Sequence, residues 1–145
     1  APSEAPTVSA SRSGGNVALA TVRGIEVAAE IADQLAAMLA AADVDGIVLE
    51  GGGWRSPDDQ IAIRMDVCGT SEYAIWEMPS WECSPPVARP GRSMHEQGLA
   101  IDFTADGDLI RSRSHPAFGW LAANAERFGF YNLPSEPWHW STTGS

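Results

Sequence analysis

Two histidines and two carboxylates stand close enough in this sequence to do metal-assisted hydrolysis. His95 and Asp102 belong to the segment Ser93-Met-His95-Glu-Gln-Gly98-Leu-Ala100-Ile-Asp102, where mostly small residues separate them on their shared side, and Glu136-Pro137-Trp138-His139 follows near the end of the chain. Imidazole nitrogen and carboxylate oxygen are ordinary zinc ligands, and three of them leave one coordination position open. A water in that position has its pKa lowered toward about 7, and a nearby carboxylate that is not a ligand can take its proton. His95, Asp102 and His139 are therefore the candidate ligands, and Glu136 the candidate acid/base for cleaving an amide.

That arrangement requires two departures from regular strand geometry. His95 and Asp102 are separated by an odd number of residues, so a straight strand would point them to opposite faces. A bulge or turn near Glu96 to Gly98 is expected to reorient His95. Pro137 excludes a helix through 136–139, so Glu136 and His139 must converge through a kink in extended chain.

The elements that must position these groups are readable from pattern. Apolar Leu99, Ile101 and Phe103 alternate with Gly98, Ala100 and Asp102, a strand presenting Asp102 away from the core. Ile25, Ala28, Ile31, Ala32, Leu35 and Leu39 recur at steps of three and four, predicting a helix from about Gly24 to Ala42. Ile47 to Leu49 reads as a short strand running into Gly51 to Gly53. Ser56 and Pro57 then form an N-cap and first-turn pair, opening a helix that carries Gln60, Ile61 and Arg64.

Residues 66–94 are rich in glycine, proline and cysteine and read as a long irregular excursion, a length that is usually functional or cross-linked. Ser114 and Pro116 start another helix that Gly129 stops, with His115 just before Pro116 read as a helix-start residue, and 136–141 reads as a terminal strand. Residues 1–16, APSEAPTVSASRSGGN, bury too little to offset ordering entropy and are expected to be a linker or disordered tail. The sum is an α+β fold, a small antiparallel sheet with packed helices, in a single domain over 17–145.

Composition narrows the partners. The chain of 145 residues has 19 acidic residues against 9 basic ones, all arginine, for a net charge of -10, and this disfavours a binder of phosphate backbones, so no nucleic-acid partner is expected. Arg89, Arg92, Arg111 and Arg113 flank the His95 to Asp102 segment, either as a positive rim or as solvated loop residues. No apolar run approaches the ~20 residues of a membrane span. Cys68 and Cys83 are expected to form a disulfide worth about 3 kcal/mol, with metal ligation and two buried thiols as alternatives. A disulfide implies an oxidising compartment outside the cytosol, and hence a secreted protein. No signal peptide is visible, which fits processing or excision from a longer precursor.

Arg55-Ser56 with Gln60, then Ser93-x-His95-x-x-Gly98-x-Ala100-x-Asp102, then Glu136-x-Trp138-His139 resemble, in this order, the motifs of the zinc D-alanyl-D-alanine carboxypeptidases of the VanY type. The resemblance spans about Glu50 to Ser141. It implies the α+β fold shared with lysostaphin-type peptidases and the amino-terminal domain of hedgehog proteins, with zinc on His95, Asp102 and His139 and with Glu136 as general base and acid. It further implies that Arg55 stabilises the oxyanion of the tetrahedral intermediate, and that Ser93 and Gln60 lie near the substrate, with capping or packing roles as the alternative for both.

The implied substrate is the peptide stem of bacterial peptidoglycan, shortened by a terminal D-alanine, and a monomer is expected. The same motifs are compatible with an L-alanyl-D-glutamate endopeptidase. A non-catalytic zinc-stabilised binding domain is the alternative from a different class, against which the unliganded Glu136 argues.

Overall fold

A computed structural model describes residues 5–145, and its architecture is α+β. Strands β1 (Val8–Gly14), β2 (Val17–Val22) and β3 (Ile25–Ala28) form an antiparallel meander. A second antiparallel sheet has the order β4-β5-β8-β7, from β4 (Glu50–Gly52), β5 (Ala100–Ala105), β8 (Glu136–Ser141) and β7 (Tyr131–Leu133), with β6 (Asp108–Leu109) paired to the other end of β5. The helices are α1 (Ala32–Val44), α2 (Pro57–Val67) and α3 (Pro116–Asn124). Among the described residues no helix is long and apolar enough to cross a membrane.

The helix expected from Gly24 begins eight residues later. Arg23 and Gly24 both have positive φ, 48° and 75°, the geometry of a tight two-residue hairpin turn. Ile25 and Val27 then point inward from β3, fully buried, and a 3-10 turn over Ala29–Ile31 leads into α1. The period-two pair of β-branched residues prevails over the alanine-rich helical spacing because it completes a three-stranded sheet.

The linker expected over 1–16 is also corrected in part, since Val8–Gly14 is a strand. Its side chains are mostly exposed, so composition carries no burial signal, and it is held by main-chain pairing to β2. Residues 1–4 of that segment lie outside the described residues. The strand expected at Ile47 to Leu49 falls at Glu50–Gly52 instead, because Gly51 and Gly52 pair with Phe103 and Asp102.

One core serves both sheets. Leu35, Met38 and Leu39 of α1 pack with Val22, Ile25, Val27, Leu49, Ile101, Phe103, Leu121 and Phe130, all fully buried. β5 therefore has Ile101 and Phe103 anchored in the core while Asp102 faces the other way, as its alternation predicts.

The expected excursion is present. It contains a π-helical turn (Tyr73–Glu77) and a 3-10 turn (Ser80–Glu82), and Cys68 and Cys83 are joined by a disulfide with their Cα atoms 5.0 Å apart. Arg64, wholly buried, reaches from α2 into its middle and donates to the carbonyls of Ala74, Ile75, Met78 and Val87.

A candidate metal centre at the junction of the two sheets

His95 is turned by a capped loop. Residues 94–98 form successive i to i+3 turns, with Glu96, Gln97 and Gly98 N–H groups donating to the carbonyls of Ser93, Met94 and His95. Ser93 Oγ accepts from His95 N at 3.1 Å and the Glu96 carboxylate accepts from Ser93 N at 3.3 Å, a capping-box arrangement. Gly98 ends the turn at φ +72°, and a Cβ there would lie 2.6 Å from the main-chain nitrogen of Ala28, which donates to Gly98 O. Of the bulge or turn expected here, the chain forms a capped turn, and Gly98 is its stop.

Gly98→Ala is expected to lower stability by about 2–4 kcal/mol, from the left-handed backbone and the collision with β3 together. Urea unfolding monitored by tryptophan fluorescence checks it. An unchanged midpoint would contradict this account of the turn.

Asp102 and His139 are directly opposed in the β5–β8 register. β8 carries extra residues opposite β7, since Leu133 pairs with Glu136 while its neighbour Asn132 pairs with Trp140. Asn132 Nδ2 fills the gap by donating to the carbonyls of Glu136 and His139 at 3.0 and 3.1 Å. This is the kink that Pro137 demanded, and it brings Glu136 Oε1 to 3.8 Å from His139 Nδ1.

The three ligand atoms converge. His95 Nε2 lies 3.0 Å and His139 Nδ1 3.2 Å from Asp102 Oδ1, and all three groups offer ligand atoms within 4.8 Å of one another. The outer ring nitrogens fix the tautomers. His95 Nδ1 contacts the carbonyl of Gly53 at 2.8 Å, and His139 Nε2 contacts that of Ser145, also at 2.8 Å. A carbonyl only accepts, so both outer nitrogens carry the proton, and in the neutral rings both inner nitrogens turn lone pairs toward a carboxylate. Three lone-pair donors facing one point need a cation between them, and the donor set fits a divalent metal.

Without a metal the alternative is an N–H on the inner nitrogens donating to Asp102, so this point draws positive charge in either form. Burial raises the Asp102 pKa, but hydrogen bonds to His139 and His95 outweigh it and hold the carboxyl far below its ordinary range. Burial would lower the His139 pKa, yet its contacts with Asp102 raise it overall. Glu136 is raised chiefly by burial, with Asp102 adding to the shift and His139 and Arg55 opposing it.

Arg55 stands on the other side of Asp102, its Nη2 3.6 Å from Oδ2, and its main-chain N–H donates to His95 O. Two of the three consecutive glycines here, Gly51 and Gly53, sit where no side chain would fit. A Cβ on Gly51 would lie 2.4 Å from Asp102 O, and one on Gly53 2.1 Å from Glu26 O. The centre opens into a cleft of about 1020 Å³ whose walls include Trp81, Pro85 and Val87 from the excursion, Arg92, Arg111 and Trp138.

The sequence pattern of the VanY family, described as D-alanyl-D-alanine carboxypeptidase, matches residues 24–145. The chain belongs to the VanY family. A D-alanyl-D-alanine carboxypeptidase of Enterococcus faecalis is 31% identical over an alignment covering 83% of this chain, and the chain spans about half (50%) of that relative's length. A glutamate-to-alanine mutant of the VanY D,D-pentapeptidase from a VanB-type resistance cassette, solved with Zn(II), superposes with a TM-score of 0.64 at 29% identity, covering 86% of this chain and 78% of the other. The LdcB LD-carboxypeptidase, at 25% identity, covers 95% of this VanY-family chain and 66% of its own length with a TM-score of 0.62.

Of the residues expected at a site, the fold brings His95, Asp102, His139, Glu136 and Arg55 together. Ser93 is buried at the rim and occupied as the cap of the His95 turn. Gln60 is wholly buried, and its amide is engaged by Arg55 and Ala88. His115 stays apart, accepting from Ala117 N as the N-cap of α3. Sequence reasoning missed Asn132 and the carbonyls of Gly53 and Ser145. The carbonyls have no side-chain signal, whereas Asn132 could have been found by asking what satisfies the kink at Pro137.

Proposed function

We propose that this domain is a zinc peptidase that removes the terminal D-alanine from peptidoglycan stem peptides, with His95, Asp102 and His139 holding the metal. The observation that carries the reading is the pairing of a convergent His/Asp/His donor set with a buried carboxylate, Glu136, outside that set. Nitrogen and oxygen donors in this number suit zinc, which supplies a Lewis acid for the scissile carbonyl and lowers the pKa of a water nucleophile. Glu136 takes the proton of the attacking water and returns it to the leaving amine. Arg55, always charged and fixed at a strand-to-helix junction, stabilises the negative charge that develops on the carbonyl oxygen. The VanY-family relative described as a D-alanyl-D-alanine carboxypeptidase and a VanY structure in complex with D-alanine-D-alanine support this substrate class. The disulfide supports an extracytoplasmic setting, in which a monomer acts on the cell wall.

The test is digestion of defined stem peptides by the zinc-loaded protein, with products weighed by mass spectrometry. Free D-alanine from a pentapeptide ending in D-alanyl-D-alanine is expected, abolished by a chelator and restored by zinc. D-alanine from a tetrapeptide stem alone would mean an L,D-carboxypeptidase, and shortened stems without free D-alanine an endopeptidase. No cleavage with zinc bound would favour a binding domain.

A further inference from the structure

We infer that Gln60 is a positioning residue that holds Arg55 away from Asp102 and ties it to the excursion, an inference resting on the assignment of Arg55 to the oxyanion. Gln60 lies in the first turn of α2, five residues after Arg55, and its side chain is 0% exposed. Its Nε2 donates to the carbonyl of Ala88 at 2.7 Å. Since a carbonyl only accepts, the amide cannot be flipped, and Oε1 must face Arg55, from whose Nη1 it accepts at 2.8 Å. The side chain stands in the wall of the cleft with both ends of its amide engaged by protein groups.

The remaining contact of the guanidinium explains why it needs holding. Asp102 Oδ2 is 3.6 Å from Arg55 Nη2, beyond a good hydrogen bond, and the carboxylate is the stronger attractor. Without Gln60 the guanidinium would close on Asp102, spending its charge on a metal ligand instead of on the developing oxyanion. Gln60 and Arg64 are the two buried positions of α2, one turn apart on one face, and they grip the successive carbonyls of Ala88 and Val87. The excursion that walls the cleft thus also sets the position of Arg55.

The experiment compares Gln60→Met, Gln60→Glu, Arg55→Ala and the Arg55→Ala/Gln60→Met pair, with zinc content and melting temperature measured on each. Gln60→Met is expected to lower kcat by about 10- to 100-fold, the cost of a displacement of the order of 1 Å, with KM nearly unchanged. In the Arg55→Ala background the same change is expected to have no further effect. Gln60→Glu keeps the acceptor for Arg55 and should retain more kcat than Gln60→Met. It carries the test if the methionine variant fails to fold.

Calorimetric affinity for a D-Ala-D-Ala phosphinate, a tetrahedral mimic, should fall in Gln60→Met alongside kcat/KM. A raised KM at wild-type kcat, or an added loss in the double variant, would overturn the inference. If Arg55→Ala is slow while Gln60→Met is not, only the link fails. Wild-type turnover by Arg55→Ala would remove the oxyanion assignment itself.

Discussion

Glu136→Ala is expected to lower kcat for D-alanine release by about 10³-fold or more while the protein still binds one zinc ion. Glu136 stands outside the group His95, Asp102 and His139, whose ligand atoms lie within 4.8 Å of one another, so removing its carboxylate leaves the donor set whole. Its position is nevertheless fixed, because Asn132 holds the carbonyls of Glu136 and His139 on one side of the β8 kink. Burial raises its pKa, which makes it a stronger base than an exposed glutamate. Glu136→Gln keeps the volume and hydrogen-bonding reach and should be nearly as slow, since an amide cannot take the proton. Turnover near the wild-type rate in either variant, with zinc content measured in the same sample, would remove Glu136 from the chemistry.

That site was legible in the sequence to the extent that chemistry demanded particular residue types. The histidines, Asp102 and Glu136 are legible because lone-pair donors with small neighbours have few other uses at that spacing, and the alternation around Ile101 and Phe103 fixes which face of β5 carries Asp102. The two bends were also foreseen as necessities, from the odd separation of His95 and Asp102 and from Pro137. What makes the bends was hidden, because it consists of main-chain carbonyls and of one asparagine on a neighbouring strand.

The early part of the chain misled for a different reason. Alanine-rich spacing over 24–42 fits a helix well, and only the Arg23-Gly24 hairpin, which needs two residues with positive φ, breaks it. Gln60 shows a third kind of limit. Its motif neighbours leave a substrate contact and a packing role both open, and only the fold shows that both ends of its amide are engaged by protein groups.

Arg64→Met is expected to cost about 4 kcal/mol or more, lowering the melting temperature by roughly 10 °C, because it strands several buried carbonyls at 1–3 kcal/mol apiece. All five N–H groups of this guanidinium are used. Nε donates to Ile75 O, Nη2 to Ala74 O and Met78 O, and Nη1 to Val87 O, with Cys83 Sγ at 3.5 Å completing the set. Among the described residues no carboxylate pairs with it. A carboxylate would in any case satisfy only the cation, and it would leave the carbonyls of this irregular chain without donors. Arg64→Lys keeps the charge but has three donors at one point, so it should lose much of the same stability.

Opening the disulfide by Cys68→Ser with Cys83→Ser should cost about 3 kcal/mol, and because both devices fasten the same segment their losses should not add. Calorimetric melting of the two changes singly and together reads this coupling. Fully additive losses, or an Arg64→Lys protein as stable as the wild type, would mean that the excursion is held elsewhere. Since Val87, beside the Ala88 carbonyl that orients Gln60, is one of the four carbonyls held by Arg64, the surviving folded fraction of Arg64→Lys should also turn over more slowly. The stability of this wall and the placement of Arg55 are therefore one structural problem, solved by two side chains a turn apart on α2.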